Sequence, residues 1–226
     1  MQLFGLKDLL EGRKGIALGD EHNCPDIVPA VTAMLPELSR QHVKTLYIEM
    51  LPRDAAPLLA DYIQGKASRF EVMETLTAHW DSFYENAHQN LMTLIDAAKA
   101  QGMEVVPLDV RVPMDERIKR ANLKWQDIIT REQADRPGKF AVFCGAMHLD
   151  SFNRYSREGD WDSYTGLDKL LDIPSVSFAT LTTQRASAPP AIRQGNAGVP
   201  ECDYVMMIPK ERSVAMGAEA VLPQRF

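Results

Sequence analysis

The chain has 226 residues, 45% of them hydrophobic, and carries a net charge of −6. That length and apolar content suit one domain with a sizeable core, and the acidic balance excludes a nucleic-acid partner held by a broad basic surface. Cys24, Cys144 and Cys202 lie far apart with no CxxC, which excludes a disulfide framework, and no stretch approaches the roughly 18 apolar residues of a membrane span.

Residues Leu3 to Leu10 read as a short amphipathic helix stopped by Gly12. The opening MQLFGLKDLLEGRKG contains acids and no small-residue cleavage site, so a Sec-type signal is not expected there. A domain boundary at residue 1 would look the same, so the sequence is also compatible with a fragment of a larger protein. Ile16-Ala17-Leu18 is a buried strand ending at Gly19. A helix opens after Pro25-Asp26 with Ile27, Val31, Met34, Leu35 and Leu38 on one side, and Pro29 and Pro36 are expected to end or bend it. Val43 to Ile48 is the second strand. Helical spacing then returns in Leu58, Leu59, Tyr62 and Ile63, in residues 69–79, and from Asp81 to Ala100, the longest helical stretch expected. Gly102 terminates it. Met103 to Leu108 is a third strand, a helix opens at Pro113, and Phe140 to Cys144 is a fourth strand, with Cys144 as a small buried side chain. Gly166 to Leu171 is a short helix, Pro174 to Leu181 a fifth strand, residues 181–202 a long loop, and Tyr204 to Ile208 a closing strand.

Strands alternating with helices imply an α/β fold, a mostly parallel central sheet with helices on both faces, in a single domain over residues 1–226. The strands are continuously apolar, as two covered faces require. The carboxyl ends of parallel strands open onto a common crevice, and four of them deliver ionisable residues. Gly19-Asp20-Glu21-His22 follows the first strand, Glu49 the second, Asp109 the third and Gly145-Ala146-Met147-His148 the fourth. The two glycines are expected to turn the backbone through positive φ.

Two imidazoles, His22 and His148, with the carboxylates Glu49 and Asp109 suit a zinc, manganese or similar divalent ion, with His22, Glu49 and His148 as ligands, or a metal-free base acting on water. Asp20 and Glu21 either favour the dipole of the next helix or join the site. Arg111 either holds an anionic or carbonyl group of a substrate or pairs with a nearby acid. His42, His79 and His88 rank below these, His88 because it lies on an apolar helical stripe. The absence of HExxH, GxSxG, P-loop and GxGxxG patterns removes zincin proteases, ordinary serine hydrolases and common nucleotide binders.

Gly19 and His22, Glu49 in Tyr47-Ile48-Glu49-Met50, and Gly145 and His148 together resemble the superfamily that joins erythromycin-esterase-like, ChaN-like and TraB/Tiki proteins. Gly166 to Pro174 resembles that group's glycine-leucine segment, and the likeness spans about residues 14 to 180. Within the group, the Glu49-Met50-Leu51 strand end, Tyr62, and Gly102 to Asp109 are closest to bacterial toxin and effector domains. Many relatives have Glu directly after the first glycine, where this chain has Asp20. The resemblance implies the fold and a site at the strand ends. It also implies one of several activities: ester hydrolysis with histidine and acid residues, metal-dependent proteolysis, or haem binding without catalysis. An effector or toxin would leave the bacterial cytoplasm by a dedicated route and act on a small molecule or protein, or bind a host protein, inside a host cell.

Overall fold

A computed structural model describes residues 5–22, 24–79, 86–110, 112, 117–149, 164–181, 191–194 and 204–209. Its strands are β1 (Gly15–Asp20), β2 (Val43–Pro52), β3 (Glu104–Asp109), β4 (Lys139–Gly145), β5 (Ser175–Leu181), β6 (Ala191–Gln194) and β7 (Tyr204–Pro209). They form one sheet in the order β3-β2-β4-β1-β5-β7-β6. All described pairings are parallel except that of β6 with β7.

Successive side chains of a strand point to opposite faces, and both faces here are covered. Ile16, Leu18, Leu46, Ile48, Ala141 and Phe143 enter one core. Ala17, Tyr47, Phe140, Val142 and Cys144 enter the other. The first core is closed by α1 (Leu6–Leu10), α2 (Ile27–Arg40), α3 (Ala56–Ile63), α4 (Arg69–His79) and α5 (Ala87–Ala100). The second is closed by α6 (Arg117–Gln133) and α7 (Leu167–Leu171). The molecule is therefore the expected α/β fold with helices on both faces. No described helix is long and apolar enough to cross a membrane.

Several elements differ from the sequence reading. Neither proline ends α2, which runs unbroken to Arg40. Pro29 lies in the first turn, where its missing N–H has no helical partner to lose. Pro36 lies inside the helix and forfeits about 3 kcal/mol. Met34, Leu35 and Leu38 are fully buried around it, at about 2 kcal/mol each, so burial wins. The helix expected from Asp81 starts at Ala87, behind a left-handed Asn86 (φ +66°). Asp81 itself lies outside the described residues, and α6, with 17 residues, is the longest helix among them. Pro113 also lies outside them. The segment 181–202 is not all loop: Ala191–Gln194 pairs antiparallel with β7 as an edge strand.

The strand order positions the site. The chain runs outward from β1 to β2 and β3 with α2 to α5 on one face, crosses with α6 on the other, and inserts β4 between β1 and β2. The carboxyl ends of β3, β2, β4 and β1 thus stand side by side.

Candidate functional site

Each of the three inner acids is held at the sheet edge by its own strand. Asp20 is the last residue of β1 and Asp109 the last of β3. Glu49 is not the end of its strand, because β2 continues to Pro52 over buried Met50 and Leu51. The β2–β3 register slips between Ile48 and Pro52, so Glu49 sits at an irregularity, where a side chain is readily re-aimed. All three acids are buried.

Each acid meets an imidazole. His22 Nδ1 lies 2.7 Å from Asp20 Oδ2, His148 Nε2 lies 3.3 Å from Glu49 Oε1, and His79 Nε2 lies 2.9 Å from Asp109 Oδ2. Arg117, on the first turn of α6, joins two of these pairs by donating to Asp109 Oδ1 at 2.9 Å and to Glu49 Oε1 at 3.5 Å. Glu49 Oε2 accepts the Gly145 N–H at 2.5 Å. His148, buried, is fixed from behind: its Nδ1 lies 2.7 Å from Asn122 Oδ1, and its ring packs on Trp125 with centroids 4.3 Å apart. The Asn122 amide donates to the His148 and Thr165 carbonyls, which orients its oxygen toward the ring.

The two glycines act differently from expectation. Neither Gly19 nor Gly145 is in the positive-φ region. They are small because their neighbours are close. A Cβ on Gly145 would stand 3.0 Å from His22 Nε2 and 3.3 Å from Glu49 Oε2. One on Gly19 would stand 3.0 Å from Leu149 Cδ1. The same distances place the His22 ring beside Glu49.

These neighbours set the charges. Burial alone would raise the Glu49 carboxyl, but the charge and hydrogen bond of His148, then the His22 charge and the Gly145 N–H, bring it down to about 2. Burial pulls His22 down, yet the Asp20 hydrogen bond and the Glu49 and Asp20 charges outweigh it and the repulsion of Arg117, leaving the imidazole above 6.5. Burial pushes the Cys24 thiol up, the reverse of what an activated cysteine nucleophile needs.

Among the sequence-derived candidates, Asp20, His22, Glu49, Asp109 and His148 therefore converge. Glu21 does not join them. It is exposed, and its carbonyl accepts the Cys24 N–H. Arg111 lies outside the described residues. Sequence reasoning ranked His79 low and passed over Arg117 and Asn122. Asn122 had a readable signal: a polar residue on the stripe Ala121, Trp125, Ile129 of α6.

A divalent ion on His22, Glu49 and His148 does not fit. Among the described residues no group of three or more His, Cys, Asp or Glu side chains is arranged to hold a metal. The chemistry gives the reason: both Glu49 oxygens already receive N–H donors, and the guanidinium of Arg117 supplies the cation between Glu49 and Asp109.

Comparison with solved structures returns the same fold. The type III effector HopBA1 superimposes with a TM-score of 0.63 at 16% identity, covering 89% of this chain and 90% of that one. RRSP, a MARTX toxin effector domain from Vibrio vulnificus CMCP6, gives 0.54 at 22% identity over 76% of this chain, which spans 34% of that one. ChaN of Campylobacter jejuni, solved with cofacially bound haem, gives 0.51 at 12% identity, covering 89% and 91%. No curated protein sequence matches the chain. Residues 6–140, which carry β1 to β3 with Asp20, Glu49 and Asp109, match the family described as haem-binding uptake, Tiki superfamily, ChaN, and the chain belongs to that family.

Proposed function

We propose that the protein is a hydrolase of ester or peptide bonds, with His22 as the general base on water. The observation that carries this reading is the 2.7 Å contact between Asp20 and His22 Nδ1. It fixes Nδ1 as the donor and leaves Nε2 as the basic nitrogen. Asp20 and Glu49 make the ring a stronger base, and at 29% side-chain exposure it is within reach of solvent. Water is the nucleophile in this reading, because the Cys24 thiol is pushed the wrong way. Glu49, His148, Asp109 and Arg117 form the fixed charge frame beside it, and Arg111 holds an anionic or carbonyl group of the substrate.

The reading is tested with His22→Ala and His148→Ala. Both should abolish hydrolysis while circular dichroism stays that of the parent. Full activity in both variants would overturn it.

The place of action proposed is the interior of a host cell, after export from the bacterial cytoplasm, on a small-molecule or protein substrate. The fold likeness to HopBA1 and RRSP supports this. Expression in host cells should arrest growth with the parent and not with His22→Ala, and equal effects would separate toxicity from the site.

A haem carrier is the second reading, supported by the family's description and by ChaN. The described cluster does not favour it. Haem iron takes a His, Met, Cys or Tyr ligand, and the three imidazoles here are already tied to carboxylates. A Soret band on haem titration would favour the carrier, and its absence with haem in excess would count against it.

A further inference from the structure

We infer that His79 is a second catalytic imidazole, the general acid that protonates the leaving group. This inference rests on the hydrolytic reading above. His79 is the last residue of α4, and its Nε2 lies 2.9 Å from Asp109 Oδ2. The pairing resembles that of His22 in one respect: a buried acid on the final residue of a strand holds an imidazole, supplied from two residues on for Asp20 and from α4, upstream of β3, for Asp109. The two rings are similarly accessible, with side-chain exposures of 21% and 29%.

Strand order places the two pairs on opposite sides of the centre. Asp109 ends β3 and Asp20 ends β1, and β2 and β4 lie between them with Glu49 and Gly145. Neighbouring strands are about 4.8 Å apart, so β3 and β1 stand about 14 Å apart at the backbone. That separation keeps the two acid–imidazole pairs distinct, with Glu49, His148 and Arg117 in between. In this assignment the substrate carbonyl binds between the two pairs, with His22 on its water side and His79 on its leaving-group side. Arg117 bonds both Asp109 and Glu49 and so links the His79–Asp109 pair to Glu49, which lies beside the His22 ring.

The step balances without a cofactor. The water oxygen bonds to the carbonyl carbon while one water proton passes to His22 Nε2. The tetrahedral intermediate collapses, its C–O or C–N bond breaks, and the leaving oxygen or nitrogen takes a proton from His79 Nδ1. Solvent then removes the proton from His22 and restores one to His79. The assignment also fixes the substrate class in which His79 matters: alkyl esters and amides, whose leaving groups depart only when protonated.

The test uses one acyl group, butyryl, on three leaving groups: the 4-nitrophenyl ester, the ethyl ester and the 4-nitroanilide. His79→Gln keeps a donor for Asp109. It should lose about a hundredfold in kcat/KM on the ethyl ester and the anilide. On the nitrophenyl ester, whose leaving group departs as a stable anion, it should lose about fivefold or less. His22→Gln should lose on all three. If His79→Gln does not fold, Asp109→Asn should give a weaker loss with the same dependence on leaving group. Equal losses on all three substrates in the His79 and Asp109 variants, or none, would overturn the acid assignment and leave the base assignment standing. Parent activity that survives His22→Gln, or no hydrolysis of any of the three by the parent, would overturn the hydrolytic reading and this inference with it.

Discussion

Replacing Glu49 with Gln tests the charge frame directly. In the folded protein Glu49 is buried, accepts the Gly145 N–H, and faces His148 and Arg117. Its carboxyl falls from 4.5 to about 2. Two to three pH units correspond to about 3 kcal/mol at neutral pH, and removing one member of a buried pair costs about 3–5 kcal/mol. The two routes agree, so Glu49→Gln should lose about 3 kcal/mol at pH 7. In a chain of this size that lowers the melting temperature by about 6–12 °C. The pH dependence carries a definite sign. A depressed carboxylate stabilises the fold above its unfolded value of about 4.5, and this contribution drains away as pH falls through the folded value of about 2. Chemical denaturation of parent and variant from pH 7 to pH 2.5 should therefore show a wide gap that narrows below about pH 4.5. Equal stabilities at pH 7, or a gap that does not narrow in acid, would refute the assignment of Glu49 as the ionised hub.

Three further outcomes follow from the same contacts. Because His22 lies above 6.5 and a base must be deprotonated, kcat/KM should rise with pH through a midpoint above 6.5. Asp20→Asn should shift that midpoint downward, and an unmoved profile would count against the dyad. Gly145→Ala inserts a methyl 3.0 Å from His22 Nε2. It should cost about 1–3 kcal/mol and more than about tenfold in activity as the ring is displaced, measured by denaturation and initial rates, and full activity would contradict the close approach. Chelator treatment should leave hydrolysis unchanged, because Arg117 already supplies the cation. Restoration of lost activity by zinc or manganese would refute this.

Much of this protein is local enough to be legible in one dimension. Apolar runs such as Ile16-Ala17-Leu18 and Phe140 to Cys144 determine strands, because a strand covered on both faces tolerates little else. Residues Asp20, Glu49 and Asp109 could be placed at a sheet edge because they follow or break those runs. What could not be read was partnership. Asp20 rather than Glu21 takes His22, Asp109 takes His79, and Arg117 and Asn122 orient Glu49 and His148, which lie far from them in sequence. The meeting of His148 and Gly145 with Glu49, and of Gly145 with His22, depends on the insertion of β4 between β1 and β2, which no periodicity encodes. The glycines show the same divide. Their place after each strand was visible, but the reason for their size is the approach of His22 to Gly145 and of Leu149 to Gly19. Backbone pattern is set by neighbours a few residues away. A site is set by side chains that meet only once the strands have taken their order.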